Sequence, residues 1–230
     1  MIDIHSHILP NLDDGSKSVE MSLEMLRRGA AQGVQTVVAT PHFYPTRNNP
    51  EKFCEDRQNA RERLGQLPEG LPQVLLGAEV AYFDGISRSE ELEGLCLGGT
   101  RLLLVEMPMT AWNDHMITEL ENISGNLGLQ PVLAHVDRYL HRSQLPRYLD
   151  YLLSVDVLAQ ANAEAFLEFS KRGKMLRLLK NGCLDFLGSD AHNLTTRPPN
   201  LAEAARVIEK KLGKEALADL TARSAALLEL

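Results

Sequence analysis

The stretch Arg101-Leu102-Leu103-Leu104-Val105-Glu106 carries four apolar residues in succession and ends on a carboxylate. An unbroken apolar run of this length, with no alternation, is the pattern of a strand covered on both faces, as in a parallel sheet. The same form recurs on either side. Residues 74–80 carry Glu79 near their end, residues 35–40 (QTVVAT) run into Pro41 and His42, and residues 1–5 end on His5 with His7 close behind. In the other direction residues 131–135 end on His135, residues 157–161 form a sixth run, and residues 184–187 precede Asp190 and His192. Helices are predicted between them. Val19, Leu23, Leu26 and Ala30 recur at helical spacing with Gly33 as the stop, and residues 50–66, 113–127, 144–153, 163–180, 201–212 and 215–228 read as further helices.

Seven short apolar strands alternating with helices predict an α/β fold built on a parallel sheet. Such a chain either opens as a doubly wound sheet or closes as a TIM-like (β/α)7 barrel. The polar residues favour the barrel. They fall at the C-terminal ends of the strands, which a barrel gathers on one face and an open sheet spreads along an edge. No Pro/Gly/Ser linker, low-complexity tract or repeat divides the chain, so residues 1–230 are read as one domain.

Composition excludes several classes of function. A content of 44% hydrophobic and 24% charged residues is that of an ordinary globular protein, and no run approaches the roughly 20 apolar residues of a membrane helix. The net charge of −7, with no Lys/Arg stripe to offset it, argues against nucleic acid as a partner. Residues 1–5 lack the features of a signal peptide, and Cys54, Cys96 and Cys183 are odd in number and widely spaced. A reduced, cytoplasmic protein without membrane insertion is expected. A cysteine-based phosphatase requires Cys-x5-Arg, yet Cys54, Cys96 and Cys183 meet Ala60, Leu102 and Ser189 at that spacing, which excludes a cysteine nucleophile.

The strand ends thus offer His5, His7, His42, Glu79, Glu106, His135, Asp190 and His192. Singly, such a residue more often caps a helix or sits half exposed. Glu79 and Glu106, however, each end an apolar run, where an unpaired buried carboxylate would cost several kcal/mol. Metal coordination relieves that cost. A surface salt bridge accounts for either glutamate alone, but poorly for both beside these histidines and an aspartate. For His5 and His7 to reach one ion, a turn of the chain is expected there. Mixed imidazole and carboxylate donors suit manganese, iron or zinc, and the lack of cysteine ligands argues against a zinc finger. Metal ions a few ångströms apart serve hydrolysis by lowering the pKa of a bound water and orienting the substrate.

The motifs His5-Ser6-His7, Asp14-Gly15, Pro41-His42, Gly77-Ala78-Glu79, Glu106, His135 and Ser189-Asp190-Ala191-His192 resemble those of the PHP (polymerase and histidinol phosphatase) family. The longer stretches DIHSHILPNLDDGS from Asp3, TPHFYP from Thr40, GAEV from Gly77, HVDRY from His135 and GSDAH from Gly188 look closer still to one branch, the bacterial PHP-type protein tyrosine phosphatases of capsule and exopolysaccharide operons. The similarity runs from Met1 to about His192.

That resemblance implies a distorted seven-stranded barrel with three divalent metal ions, manganese ahead of iron or zinc. It implies that His5, His7, Glu79 and Asp190 hold one ion, that Glu79 bridges to a second shared with Glu106 and His135, and that Asp14, His42 and His192 hold the third. Asp14 comes from the resemblance alone. From the residues themselves Asp13-Asp14-Gly15-Ser16 reads as a helix-start loop, with Asp13 a structural residue. Arg138 matches the family's catalytic arginine, which neutralises phosphoryl charge; a salt bridge at a helix start is the alternative reading.

The resemblance further implies a tyrosine-phosphorylated protein as substrate, in particular a bacterial tyrosine autokinase. Two rivals stand beside it: a small-molecule phosphatase of the same fold acting on a compound such as histidinol phosphate, and a metal-binding regulatory module. At the rim, Phe43, Tyr44, Tyr82 and Trp112 either line a phenol-accepting mouth or simply pack. Arg47, Arg142 and Arg197 either contact a phosphopeptide or are solvated, and His115 and His141 are expected to face solvent.

Overall fold

The computed structural model describes residues 1–140 and 145–230, so His141 and Arg142 lie outside the described residues. Among the described residues nine short strands form: β1 (Ile2–Ser6), β2 (Thr36–Ala39), β3 (His42–Phe43), β4 (Gln73–Leu76), β5 (Glu79–Ala81), β6 (Leu102–Glu106), β7 (Gln130–Leu133), β8 (Leu158–Asn162) and β9 (Phe186–Gly188). All their pairings are parallel, in the orders β1-β2-β4 and β3-β5-β6-β7-β8-β9. They correspond to the seven predicted strands, the second and third each broken in two. The breaks fall at Thr40-Pro41 and Gly77-Ala78, where Pro41 has no N–H to give a ladder. Pairing continues across them, because Gly77 N–H donates to Ala39 O at 2.9 Å and Glu79 N–H to Pro41 O at 3.1 Å.

The first and last strands meet and curl the sheet into a distorted TIM-like barrel. Ser6 bridges Ala191, His7 N–H donates to Ala191 O at 2.9 Å, and Asp190 N–H to His5 O at 2.7 Å. Gly188 permits this approach, since a Cβ there would lie 2.6 Å from the Cβ of His5.

Helices α1 (Val19–Ala31), α2 (Pro50–Arg63), α3 (Asp114–Leu127), α4 (Leu145–Leu152), α7 (Leu201–Leu212) and α8 (Lys214–Leu227) lie where the sequence predicts helices. Ser18, Asn49 and Asn113 cap three of them, each accepting the N–H three residues on. The helix predicted over residues 163–180 divides instead into α5 (Glu164–Leu167) and α6 (Phe169–Lys180), because Glu168 is extended. Arg172 supports the break by donating to the carbonyls of Phe166 and Leu167, which the end of α5 leaves without helical partners. Between β5 and β6 short 3-10 turns replace an α-helix, which is where the barrel departs most from regularity. No helix among the described residues is long and apolar enough to cross a membrane.

One stripe inside the barrel positions everything that follows. Ile4, Val38, Leu102, Leu104, Val132 and Phe186 form a buried interior cluster, with Leu75 and Leu158 packed against it. Residues two apart on a strand share a face. Continuing toward the C-terminal ends, the stripe passes from Leu104 to Glu106, from Leu75 through Gly77 to Glu79, from Leu158 to Gln160 and Asn162, and from Phe186 through Gly188 to Asp190. The interior is apolar at the bottom and ionisable at the top.

Candidate metal centre

His5 and His7 share a face by strand alternation, so no turn between them is required. The irregularity falls earlier. Ile4 already faces the interior, and the register shift between Asp3 and Ser6 lets His5 follow it inward. His135 and Asp190 enter by a different route. Both adopt left-handed backbone (φ of 33° and 53°) just beyond β7 and β9, a conformation costing on the order of 1–3 kcal/mol for such residues and typical of functional sites.

Four donor atoms then converge. His5 Nε2 lies 3.2 Å from His7 Nε2, 3.3 Å from Glu79 Oε2 and 3.6 Å from Asp190 Oδ1, while His7 Nε2 lies 3.4 and 3.5 Å from those same oxygens. Four donors about 2.1 Å from one ion at tetrahedral corners stand about 3.4 Å apart, so this spacing is that of a coordination shell. Beside it, His135 Nε2 approaches Glu79 Oε1 at 2.9 Å and Glu106 Oε1 at 3.3 Å. On the other side, Asp14 Oδ1 lies 3.4 Å from both His42 Nε2 and His192 Nε2, and His42 Nδ1 lies 2.9 Å from Glu79 Oε2. The set therefore overlaps: His7 groups with Asp14, His42 and His192, and His42 with Glu79 and Glu106.

The electrostatics call for cations. Glu79 Oε2, His42 Nδ1 and His192 Nε2 are buried without a hydrogen-bond partner, although they face other polar atoms. Burial pushes the pKa of His7 and His135 down, but the carboxylates of Asp13, Asp190 and Glu79 close to the first, and of Glu106 and Glu79 close to the second, outweigh it. His7 ends well above the ordinary value and His135 at about 9. Glu79 moves the other way: burial opposes its charge, yet His5, His135 and His42 hold its carboxyl well below the usual range. Without metal, protons on imidazoles thus balance the carboxylates. A divalent ion can replace them, and the donor set fits one.

Three further residues frame the cluster. Asp13, left as a structural candidate by its sequence, accepts from His7 Nδ1 at 2.7 Å and from the N–H groups of Gly15 and His42. It thereby turns Nε2 of His7 toward the centre. Arg138, about 29% exposed, reaches Asp190 Oδ2 with one nitrogen and stands 3.9 Å from Glu106 with another. Arg197 places Nη2 2.6 Å from Asp190 Oδ1.

The remaining rim residues divide. Phe43 and Trp112 are buried in the core, whereas Tyr44 stacks on His42 with centroids 5.3 Å apart and is half buried. Tyr82 is half buried with an unpartnered hydroxyl, and Arg47 is exposed beside Tyr44. His115 is exposed as expected but pairs with Asp84 at 2.6 Å. All three cysteines are free, and Cys96 is buried.

Residues 1–228 match the family described as "Capsular polysaccharide synthesis, CpsB/CapC". The chain belongs to this family. Among CpsB/CapC relatives, the tyrosine-protein phosphatase CpsB of Streptococcus agalactiae serotype III (strain NEM316) is 32% identical over 94% of this chain and 92% of its own. The tyrosine-protein phosphatase YwqE of Bacillus subtilis (strain 168) is 33% identical, with 94% and 86% covered. A crystal structure reported for YwqE from Bacillus subtilis and CpsB from Streptococcus pneumoniae, as metal-dependent tyrosine phosphatases, superposes with a TM-score of 0.84 at 28% identity over 100% of this chain and 94% of that one.

Proposed function

We propose that this CpsB/CapC chain is a metal-dependent protein-tyrosine phosphatase, a single domain over residues 1–230 acting in the cytoplasm on a tyrosine autokinase of polysaccharide export. The observation that carries the reading is the convergence of nine donors, from Asp14 on the rim to His5 at full burial, beside Arg138 in a chain of this family. Three ions, manganese ahead of iron or zinc, match nine donors with Glu79 shared between two positions. His5, His7, Glu79 and Asp190 would hold one, Glu79, Glu106 and His135 a second, and Asp14, His42 and His192 a third. When bound, such ions supply Lewis acidity and lower the pKa of a nucleophilic water.

The chain's own residues do the rest. Arg138 is partly buried and aimed at the cluster, which suits it to draw charge from a phosphoryl group as it transfers. Arg197, on the other oxygen of Asp190, is placed to share that task. Tyr44, stacked on His42, sets an aromatic ring beside the donor set, where a phenyl group can pack. Among the described residues, every histidine except His115 belongs to the cluster, and His115 is paired with Asp84. A dedicated general acid is therefore not in view. A tyrosine ester tolerates that, because phenolate, with a conjugate-acid pKa of about 10, leaves far more readily than an alkoxide.

The test is turnover of a phosphotyrosine peptide against histidinol phosphate by manganese-loaded protein. Strong preference for the aryl ester is expected. Equal or better turnover of histidinol phosphate would assign a small-molecule phosphatase, and no turnover of either with metal bound would leave a regulatory module.

A further inference from the structure

Six of the seven barrel strands end in proposed metal ligands; β8 ends in none. In their place it carries Gln160 and Asn162, amides buried to 0% and 6% exposure on the interior stripe. Two uncharged polar side chains at such depth require partners, and both find them within the centre. Gln160 Oε1 lies 2.7 Å from His135 N and 3.1 Å from His5 Nδ1. Gln160 Nε2 donates to Asn162 Oδ1 at 2.9 Å, and Asn162 Nδ2 donates to Asp190 Oδ2 at 2.9 Å.

The direction of this chain is forced. A backbone N–H can only donate, so the Gln160 atom facing His135 N is the carbonyl oxygen. An oxygen that accepts from His135 also accepts from His5, which places the His5 proton on Nδ1 and leaves the lone pair of Nε2 facing the cluster. The Gln160 NH2 must then meet an oxygen of Asn162, and the Asn162 NH2 is turned on Asp190. One backbone donor thus sets four side-chain orientations, at ligands from both ends of the chain. The N–H of Asn162 is itself anchored on Asp137 Oδ1 at 3.0 Å, next to Arg138.

We propose that Gln160 and Asn162 are positioning residues: a one-way relay of hydrogen bonds, started at the His135 N–H, that fixes the tautomer of His5 and the rotation of the Asp190 carboxylate. β8 contributes this relay where its neighbours contribute ligands. The inference rests on the metal-centre reading above. Partners of this kind, removed from metal sites, commonly lower metal affinity or activity about 10- to 100-fold.

The test is cobalt titration of the full chain, followed by visible absorption, alongside turnover. Gln160→Met removes acceptor and donor together, and cobalt affinity is expected to fall by about 10- to 100-fold with altered visible bands. Gln160→Glu restores the acceptor for His5 and His135 but presents an oxygen to Asn162, turning its amide over toward Asp190. Cobalt affinity should therefore recover to within a few-fold of wild type while turnover stays low. A merely structural role would lower thermal stability without this split. Wild-type cobalt affinity and spectrum in folded Gln160→Met would overturn the relay, as would wild-type turnover in Gln160→Glu. If Gln160→Met does not fold, Asn162→Asp serves, since it replaces the donor to Asp190 with a second carboxylate; unchanged affinity and turnover there would equally overturn the relay. No cobalt bound by wild-type protein would overturn the metal centre, and the relay with it.

Discussion

Arg197 sets its guanidinium 2.6 Å from Oδ1 of Asp190, the oxygen that also faces His5 and His7. An ion held by those histidines competes with Arg197 for that oxygen. Loading the centre is therefore expected to free Arg197 for an incoming anion, beside Arg138 on Oδ2.

Arg138→Ala and Arg197→Ala should each lower kcat on phosphotyrosine peptides by roughly 10²-fold, the scale of one lost transition-state charge contact. The double variant should lose less than the product of the two, because both groups meet one carboxylate. Elemental analysis of the variants should find wild-type metal content. Wild-type kcat in Arg197→Ala would reduce that residue to a surface ion pair.

Glu79 touches His5, His7, His42 and His135, whereas Glu106 touches His135 alone among the histidines in these ion pairs. Elemental analysis of gently purified protein should find close to three ions per chain. Glu79→Gln should lose more than one of them, and Glu106→Gln at most one. Both should lose turnover with the fold intact by circular dichroism, since the apolar interior lies below them.

The raised pKa of His135 makes metal-free protein sensitive to base. Its folded value of about 9 exceeds the unfolded value of about 6.5, so the folded state binds a proton the unfolded chain has released. The stabilisation is fully present below pH 6.5 and is lost as pH rises through 9. His7, raised in the same direction, adds to it. The lowered pKa of His192, about 4, does not interfere, because that ring is neutral in both states above pH 6.5. Melting temperatures of chelated protein should fall between pH 6.5 and 9, while those of metal-loaded protein change much less. Adding metal at pH 7 should release protons, measurable in a weakly buffered solution.

Replacing Cys54, Cys96 and Cys183 by serine or alanine should leave hydrolysis essentially unchanged. None of them belongs to the donor set, and none starts a phosphate-cradling loop. Inactivation of the triple variant with its metals still bound would reopen a thiol mechanism.

The sequence already displays the seven strands, since an apolar run ending in a charged residue marks both the buried body of a strand and its C-terminal end. Eight of the nine proposed ligands follow from that grammar. Asp14 does not: it is exposed on a loop, and only its position across from His42 and His192 distinguishes it. The pairing of Arg197 with Asp190, and the roles of Asp13, Gln160 and Asn162 beside the ligands, are not legible in the sequence for a shared reason. Each reaches a proposed ligand through a contact spanning between 6 and 155 positions, and a contact of that kind leaves no periodic trace. The break at Glu168 was hidden too, because Arg172 supports it from within an otherwise helical pattern.

The junction of β1 with the segment beyond β9 also fixes an order of events. Ser189 N–H donates to Asp3 across 186 positions, and Asp190 N–H to His5 O. A nascent chain that has released His5 and His7 from the ribosome still has no binding centre, because Asp190 and His192 are the last of the proposed ligands to emerge and must dock on the first strand. Metal capture should be a terminal step, slow in the way that closures between distant segments are slow. A folding intermediate would offer stray ions only fragments of the donor set. In refolding with cobalt present, the visible bands should accordingly appear after the far-ultraviolet signal of the helices is complete.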